Sequence, residues 1–194
     1  SDVCSSDLEL ILAEIAKELR VRHPQLRLML VPRHVERTGG ILHELSATGL
    51  KVAKRSQLGV GEATDPDLLL VDTTGELRDL YATADLVFIG KTLTGTGGQN
   101  FLEPARYGRA IVAGPHMENF MSLRREFETE AAIRVAATRE ELSREFDTLL
   151  ADESAREDLG RNAERCFREH LGAGGRYAEV LLEIIQKAES RGRA

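Results

Sequence analysis

Apolar residues along the chain follow two alternating patterns. From Glu9 to Arg22, the positions Leu12, Ile15, Ala16 and Leu19 recur at the spacing of one helix face; Pro24 closes the segment before an apolar run from Leu26 to Val31. The spacing predicts a helix followed by a buried strand. The exchange then repeats, with a helix over Ile41 to Thr48, a strand over Lys51 to Ala53 and, after a loop rich in Gly, Thr and Asp, a strand over Leu68 to Val71. Next come a helix over Glu76 to Thr83, a strand over Leu86 to Ile89, a long Gly/Thr loop, and a helix over Leu102 to Tyr107. A strand over Ala110 to Ala113, a helix over Asn119 to Glu128 and a brief strand over Ile133 to Val135 complete the alternation. Each crossover helix returns the chain to the same strand direction, so the pattern requires a parallel sheet covered on both faces. The predicted fold class is α/β, a Rossmann-like doubly wound parallel sheet.

After Thr138 the strands stop, and helices are predicted over Arg139 to Leu150, Glu153 to His170 and Arg176 to Ala188. The middle one aligns Leu159, Ala163, Cys166 and Phe167 in one stripe, which makes Cys166 a core residue. A break at Leu171 to Gly175 precedes the last helix, whose Val180, Leu181, Ile184 and Ile185 need a partner surface. Residues 1–8, SDVCSSDL, are polar and aperiodic and are read either as a foreign or disordered join or as a natural frayed terminus with a Ser or Asp cap. The expected organisation is therefore a Rossmann-like domain over 9–150 and a helical extension over 151–194.

Composition narrows the function without deciding it. Net charge is −6 with both signs interleaved, so no nucleic-acid partner is indicated and an anionic ligand must be met locally. Two distant cysteines, Cys4 and Cys166, exclude a disulfide framework and match no metal or redox spacing. The five histidines show no metal-ligand spacing either, so no metal site and no cofactor are expected. No apolar run approaches the ~18–20 residues that span a bilayer.

Ligands of open parallel sheets bind outside the carboxyl ends of the strands. Four loops there hold polar residues of unusual type: Pro32-Arg33-His34, Asp72 to Glu76, Gly90 to Asn100 followed by Glu103, and Gly114-Pro115-His116. In the third, Gly95, Gly97 and Gly98 let backbone approach a ligand, and Asn100 can cap the following helix. Free amides at that helix start favour a phosphate or carboxylate; the alternative is a flexible surface turn. The loop matches neither the phosphate-loop pattern nor GxGxxG at a first strand–helix turn. Glu103 either complements the helix dipole or accepts from ribose hydroxyls. Arg33 either clamps a phosphate through two parallel hydrogen bonds or is a solvated surface arginine.

Taken in order, Val31-Pro32-Arg33-His34, Asp72-Thr73-Thr74-Gly75-Glu76-Leu77 with Leu80-Tyr81, Ala84-Asp85-Leu86, Gly97-Gly98-Gln99-Asn100 through Glu103-Pro104-Ala105, and Gly114-Pro115-His116 with Asn119-Phe120 resemble the 3-deoxy-D-manno-oct-2-ulosonic acid (Kdo) transferases. The resemblance covers roughly Glu9 to Lys187. It implies the C-terminal, donor-binding domain of a GT-B glycosyltransferase of lipopolysaccharide assembly. Such an enzyme moves Kdo from CMP-Kdo to a lipid A precursor with inversion and without a metal, at the cytoplasmic face of the bacterial inner membrane.

Carried over residue by residue, the resemblance assigns CMP binding to Pro32, Arg33, Gly75, Glu76, Leu77, Asn100, Phe101, Leu102 and Glu103, with Gly97, Gly98 and Gln99 adjoining. Gln99 stands where the family usually has His, and Phe101 where it has Pro. The family's catalytic base is a Glu of an N-terminal acceptor domain expected to be absent here, as are the strand and loop that normally precede Glu9. The expectation is a chain that binds the donor but does not catalyse transfer alone; acceptor and membrane would be met by the missing domain. The alternatives are a GT-B enzyme using a uridine nucleotide sugar and a non-catalytic nucleotide-binding module.

Overall fold

Helix α1, Ser6–Leu19, is the hinge of the architecture, because its two buried flanks serve two different sheets. Ala13 packs with Leu30, Ile41, Leu45, Leu68 and Leu70, whereas Ile15 and Leu19 pack with Ala110, Val112, Leu142 and Leu149. The chain is described as a computed structural model over residues 6–59 and 65–171. The predicted helix Arg176 to Ala188 lies outside the described residues.

The first half comprises β1 (Leu28–Leu30), α2 (Thr38–Ser46), β2 (Val52–Lys54) and β3 (Leu68–Leu70), in the strand order β1-β3-β2. All pairs are parallel, with Leu28 and Val52 both opposite Leu68. Side chains alternate faces along a strand, so Leu28, Leu30, Leu68 and Leu70 share the face that α1 and α2 cover.

The second half runs through α3 (Leu77–Thr83), β4 (Leu86–Ile89), α4 (Leu102–Arg106), β5 (Ala110–Ala113), α5 (Met121–Thr129), β6 (Arg134–Val135) and α6 (Arg139–Ala151). Helical backbone over 153–171, α7, follows. The strand order is β4-β5-β6, again parallel. Along β5, Ile111 and Ala113 face one core with Phe101, Phe127 and Cys166, while Ala110 and Val112 face the other with Ile15 and Leu142. This half is covered on both faces, as a doubly wound sheet requires.

Helix α7 buries Leu159, Ala163 and Cys166 in the cores, as their stripe predicts, and Gly160 crosses so tightly that an added Cβ would lie 2.1 Å from the Gly108 carbonyl oxygen. Two features differ from the sequence reading. Helix α1 begins at Ser6, earlier than the predicted Glu9, and Leu8 is buried. Finally, the expected single sheet is divided. Among the described residues β1 pairs only with β3 and β4 only with β5, and the two unpaired edges line opposite walls of one cleft. No described strand can bond to both edges. No described helix is long and apolar enough to cross a membrane.

Candidate functional site

The cleft between the halves has a volume of about 1540 Å³. Below, it is walled by the apolar edges of β1 and β4; at the carboxyl ends of the strands it opens into a polar mouth. Three of the four loops singled out in the sequence reach it, whereas Gly114, Pro115 and His116 do not line it. The loop after β1 contributes Pro32 and Arg33, the loop after β3 contributes Gly75 and Glu76, and the loop after β4 contributes Gly98, Gln99 and Asn100. From the segment after β5 come Asn119 and Phe120. Leu77, the first residue of α3, completes the rim.

Arg33 is exposed and has neither ion pair nor hydrogen bond among the described residues. Its guanidinium is free to clamp an anion. The Gly-rich loop opposite has the conformation that needs glycine, with φ of 88° at Gly97 and 68° at Gly98. The amides of Gly98, Gln99 and Asn100 donate no hydrogen bond to any described residue. Successive free amides of this kind form an anion-binding concavity.

Two devices, one buried and one at the surface, hold the loop in place. Thr92, fully buried, accepts from the Gly114 amide through Oγ1 at 2.7 Å, and its carbonyl accepts from the His116 amide at 2.9 Å. Glu118 accepts the Gly97 amide at 2.6 Å and lies 3.2 Å from His116 Nδ1. The Gly97 amide, first, and then the backbone at Glu118 and the His116 ring hold its carboxyl below the usual range. Asn100 Oδ1 accepts from the Leu102 amide at 3.0 Å, so Asn100 does secure the start of α4.

The remaining predicted residues sit differently. The Glu76 carboxylate accepts from Arg55 Nε at 2.8 Å, which holds its pKa down, and Gly75 and Glu76 both line the cleft. Thr73 Oγ1, buried at the cleft wall, makes no well-formed hydrogen bond to a described residue, although it lies close enough to favour the Glu76 carboxylate. Phe101 points into the core, edge to face with Phe120 and Phe127, and Leu102 packs against the same cluster. Neither side chain lines the cleft, nor do Gly97 and Glu103. Glu103 stands behind Tyr81, which does line it: burial first and the Glu103 charge second push the Tyr81 hydroxyl up to about 12. Arg33 thus lines the cleft directly, whereas Glu103 stands outside its lining near Tyr81.

The sequence did not disclose the Thr92 clamp, the Glu118 tie or the Arg55–Glu76 pair. Each joins residues more than twenty positions apart on loops without periodicity.

No protein-family model matches the chain. It is similar to the 3-deoxy-D-manno-octulosonic acid transferase of Haemophilus influenzae, 29% identical over 178 residues, 91% of this chain and 42% of that protein. The Bordetella pertussis protein of the same name is 34% identical over 86% of this chain and 39% of its own length. The Rickettsia bellii protein, also so named, is 33% identical over 92% of this chain and 42% of its own. The chain therefore spans about two fifths of these curated relatives. Among solved structures it is similar to the C-terminal CMP-Kdo binding domain of WaaA from Acinetobacter baumannii, with a TM-score of 0.69 and 28% identity over 79% of this chain and 82% of that one.

Proposed function

Because the chain is a homologue of the 3-deoxy-D-manno-octulosonic acid transferases and has the α/β fold of their CMP-Kdo binding domain, we propose that it binds CMP-Kdo at the mouth of the cleft between its two halves. The observation that carries the reading is an unpaired Arg33 and three free loop amides, Gly98 to Asn100, bordering one cavity. A phosphodiester fits that chemistry: the guanidinium offers two parallel donors and the amides offer further ones. The Gly75–Glu76 backbone faces the cytosine edge, and Tyr81, with Glu103 behind it, borders the place left for the ribose.

Charge builds on the phosphate as the bond from the sugar to CMP breaks. Donors already in place around that phosphate stabilise the leaving group without reorganising. Arg33 and the loop amides perform this task in a transfer that inverts the sugar centre and uses no metal. In the whole protein the acceptor is a lipid A precursor, met with the membrane by another part of the enzyme at the cytoplasmic face of the inner membrane. The activating base lies there too.

Calorimetric titration of the 194-residue chain with CMP and UMP tests the reading. CMP is expected to bind and UMP to bind markedly more weakly. Equal affinity would favour a uridine nucleotide donor, and no heat with either would reduce the cleft to a non-binding groove.

A further inference from the structure

We propose that Lys91 is a second anion-binding group of the cleft and recognises the carboxylate of the donor sugar; this rests on the CMP-Kdo reading above. Of the arginines and lysines lining the cleft, four are already engaged. Arg22 pairs with Asp147, Arg27 with Asp65 and Arg37 with Glu9, while Arg156 donates to the Leu149 carbonyl. Only Arg33 and Lys91 lack a partner among the described residues. The cleft therefore presents two free cations at its mouth.

The backbone singles out Lys91 independently. It has a φ of 61°, a left-handed conformation that is costly for a residue with a Cβ and that glycine would adopt freely. Retained strain of this kind points to what the side chain does. Its stem also has a fitted seat, since a Cβ added to Gly95 would lie 2.7 Å from Lys91 Cγ. Gly95 thus leaves the space that the Lys91 stem occupies, and Lys91 is among the residues lining the cleft.

Donor chemistry supplies the matching charge. In a 2-ulosonic acid the anomeric carbon bears both the carboxyl group and the oxygen to phosphorus. CMP-Kdo therefore carries one charge on its phosphodiester and one on the adjacent carboxylate, where free CMP carries its charge, about −2, on a single phosphate. Arg33 with the loop amides takes the phosphate, and Lys91 takes the carboxylate. Lys91 then sets the preference for an acidic sugar over the bare nucleotide.

The test is calorimetric titration of the full chain and its K91G and K91R variants with CMP and with CMP-Kdo. Wild type is expected to bind CMP-Kdo roughly 10-fold or more tighter than CMP, the scale of one charge-assisted contact. K91G, which also relieves the backbone, should weaken CMP-Kdo binding much more than CMP binding and so abolish that preference; K91R should keep most of it. Circular dichroism checks that each variant is folded. A preference that survives in K91G, or an equal loss for both ligands, would overturn the assignment. Wild type that binds CMP but shows no preference overturns the Lys91 role alone, whereas wild type that binds neither sinks the nucleotide reading beneath it.

Discussion

Phe101 tests the proposed division between residues that touch a nucleotide and residues that only pack behind them. Its ring is fully buried and meets Phe120 and Phe127 at centroid separations of 5.9 and 5.0 Å. Burying such a side chain contributes about 1.5–3 kcal/mol, and the cavity left by Phe101→Ala raises the loss to roughly 3–5 kcal/mol. For a domain of this size each kcal/mol lowers Tm by about 2–4 °C, so a fall of about 6–20 °C is expected. Phe101→Leu removes about three carbons and should cost roughly 2 kcal/mol. The assay pairs thermal unfolding with CMP titration. Phe101→Leu is expected to lower Tm yet bind CMP like wild type, because the side chain faces the core. A Leu variant of unchanged Tm and lost CMP affinity would refute the reasoning and place the ring against the ligand.

Further outcomes follow from the same geometry. Arg33→Ala should weaken CMP binding by roughly 1.5–3 kcal/mol, an effect that shrinks at high salt because exposed charge contacts are screened, whereas Glu103→Ala, outside the cleft lining, should weaken it less; titration across ionic strength checks both. Gly114→Ala would set a Cβ 2.2 Å from the Thr92 carbonyl oxygen, so backbone must shift, at a cost of about 1–3 kcal/mol read as a lower Tm. Ser56 holds the Asp72 carboxyl below its ordinary pKa, and His23, with Arg22, does the same to Asp147. The stability they contribute is present above the unfolded carboxylate pKa, about 4, and is lost as pH falls through the depressed folded values. Tm should therefore drop on acidification below that range, and Asp147→Asn should flatten the drop.

Where continuous apolar runs dominate, the sequence located the elements well: the strands at Leu86–Ile89 and Ala110–Ala113 lie where the pattern put them. Helix α2 shows the opposite case. It starts at Thr38, three residues before the predicted Ile41, through Gly39 and Gly40, which are poor helix formers. The burial of Ile41 and Leu45 beneath β1 and β3 overrides that local preference. The helix expected from Asn119 begins instead as a tight turn over Glu118–Phe120 before α5, a distinction that periodicity cannot draw.

At the candidate site, the strand-end rule and the family motifs brought Arg33, Gly75, Gly98 and Asn100 to one cleft. Side-chain direction was less legible. Phe101 and Leu102 lie in a motif of site residues, yet the turn into α4 sends both to the core. The left-handed backbone of Lys91 has no sequence signature, because lysine gives no reason to expect it. Nor could alternation reveal that the parallel sheet is divided, since pairing between β1 and β4 depends on what lies between them and not on either strand.

The most direct measurement is the structure of this chain with CMP bound. The phosphate is expected within hydrogen-bond distance of the Arg33 guanidinium and of amides in the Gly98–Asn100 stretch, with the cytosine against the Gly75–Glu76 backbone. CMP seated elsewhere, with Arg33 and those amides still facing solvent, would contradict the account.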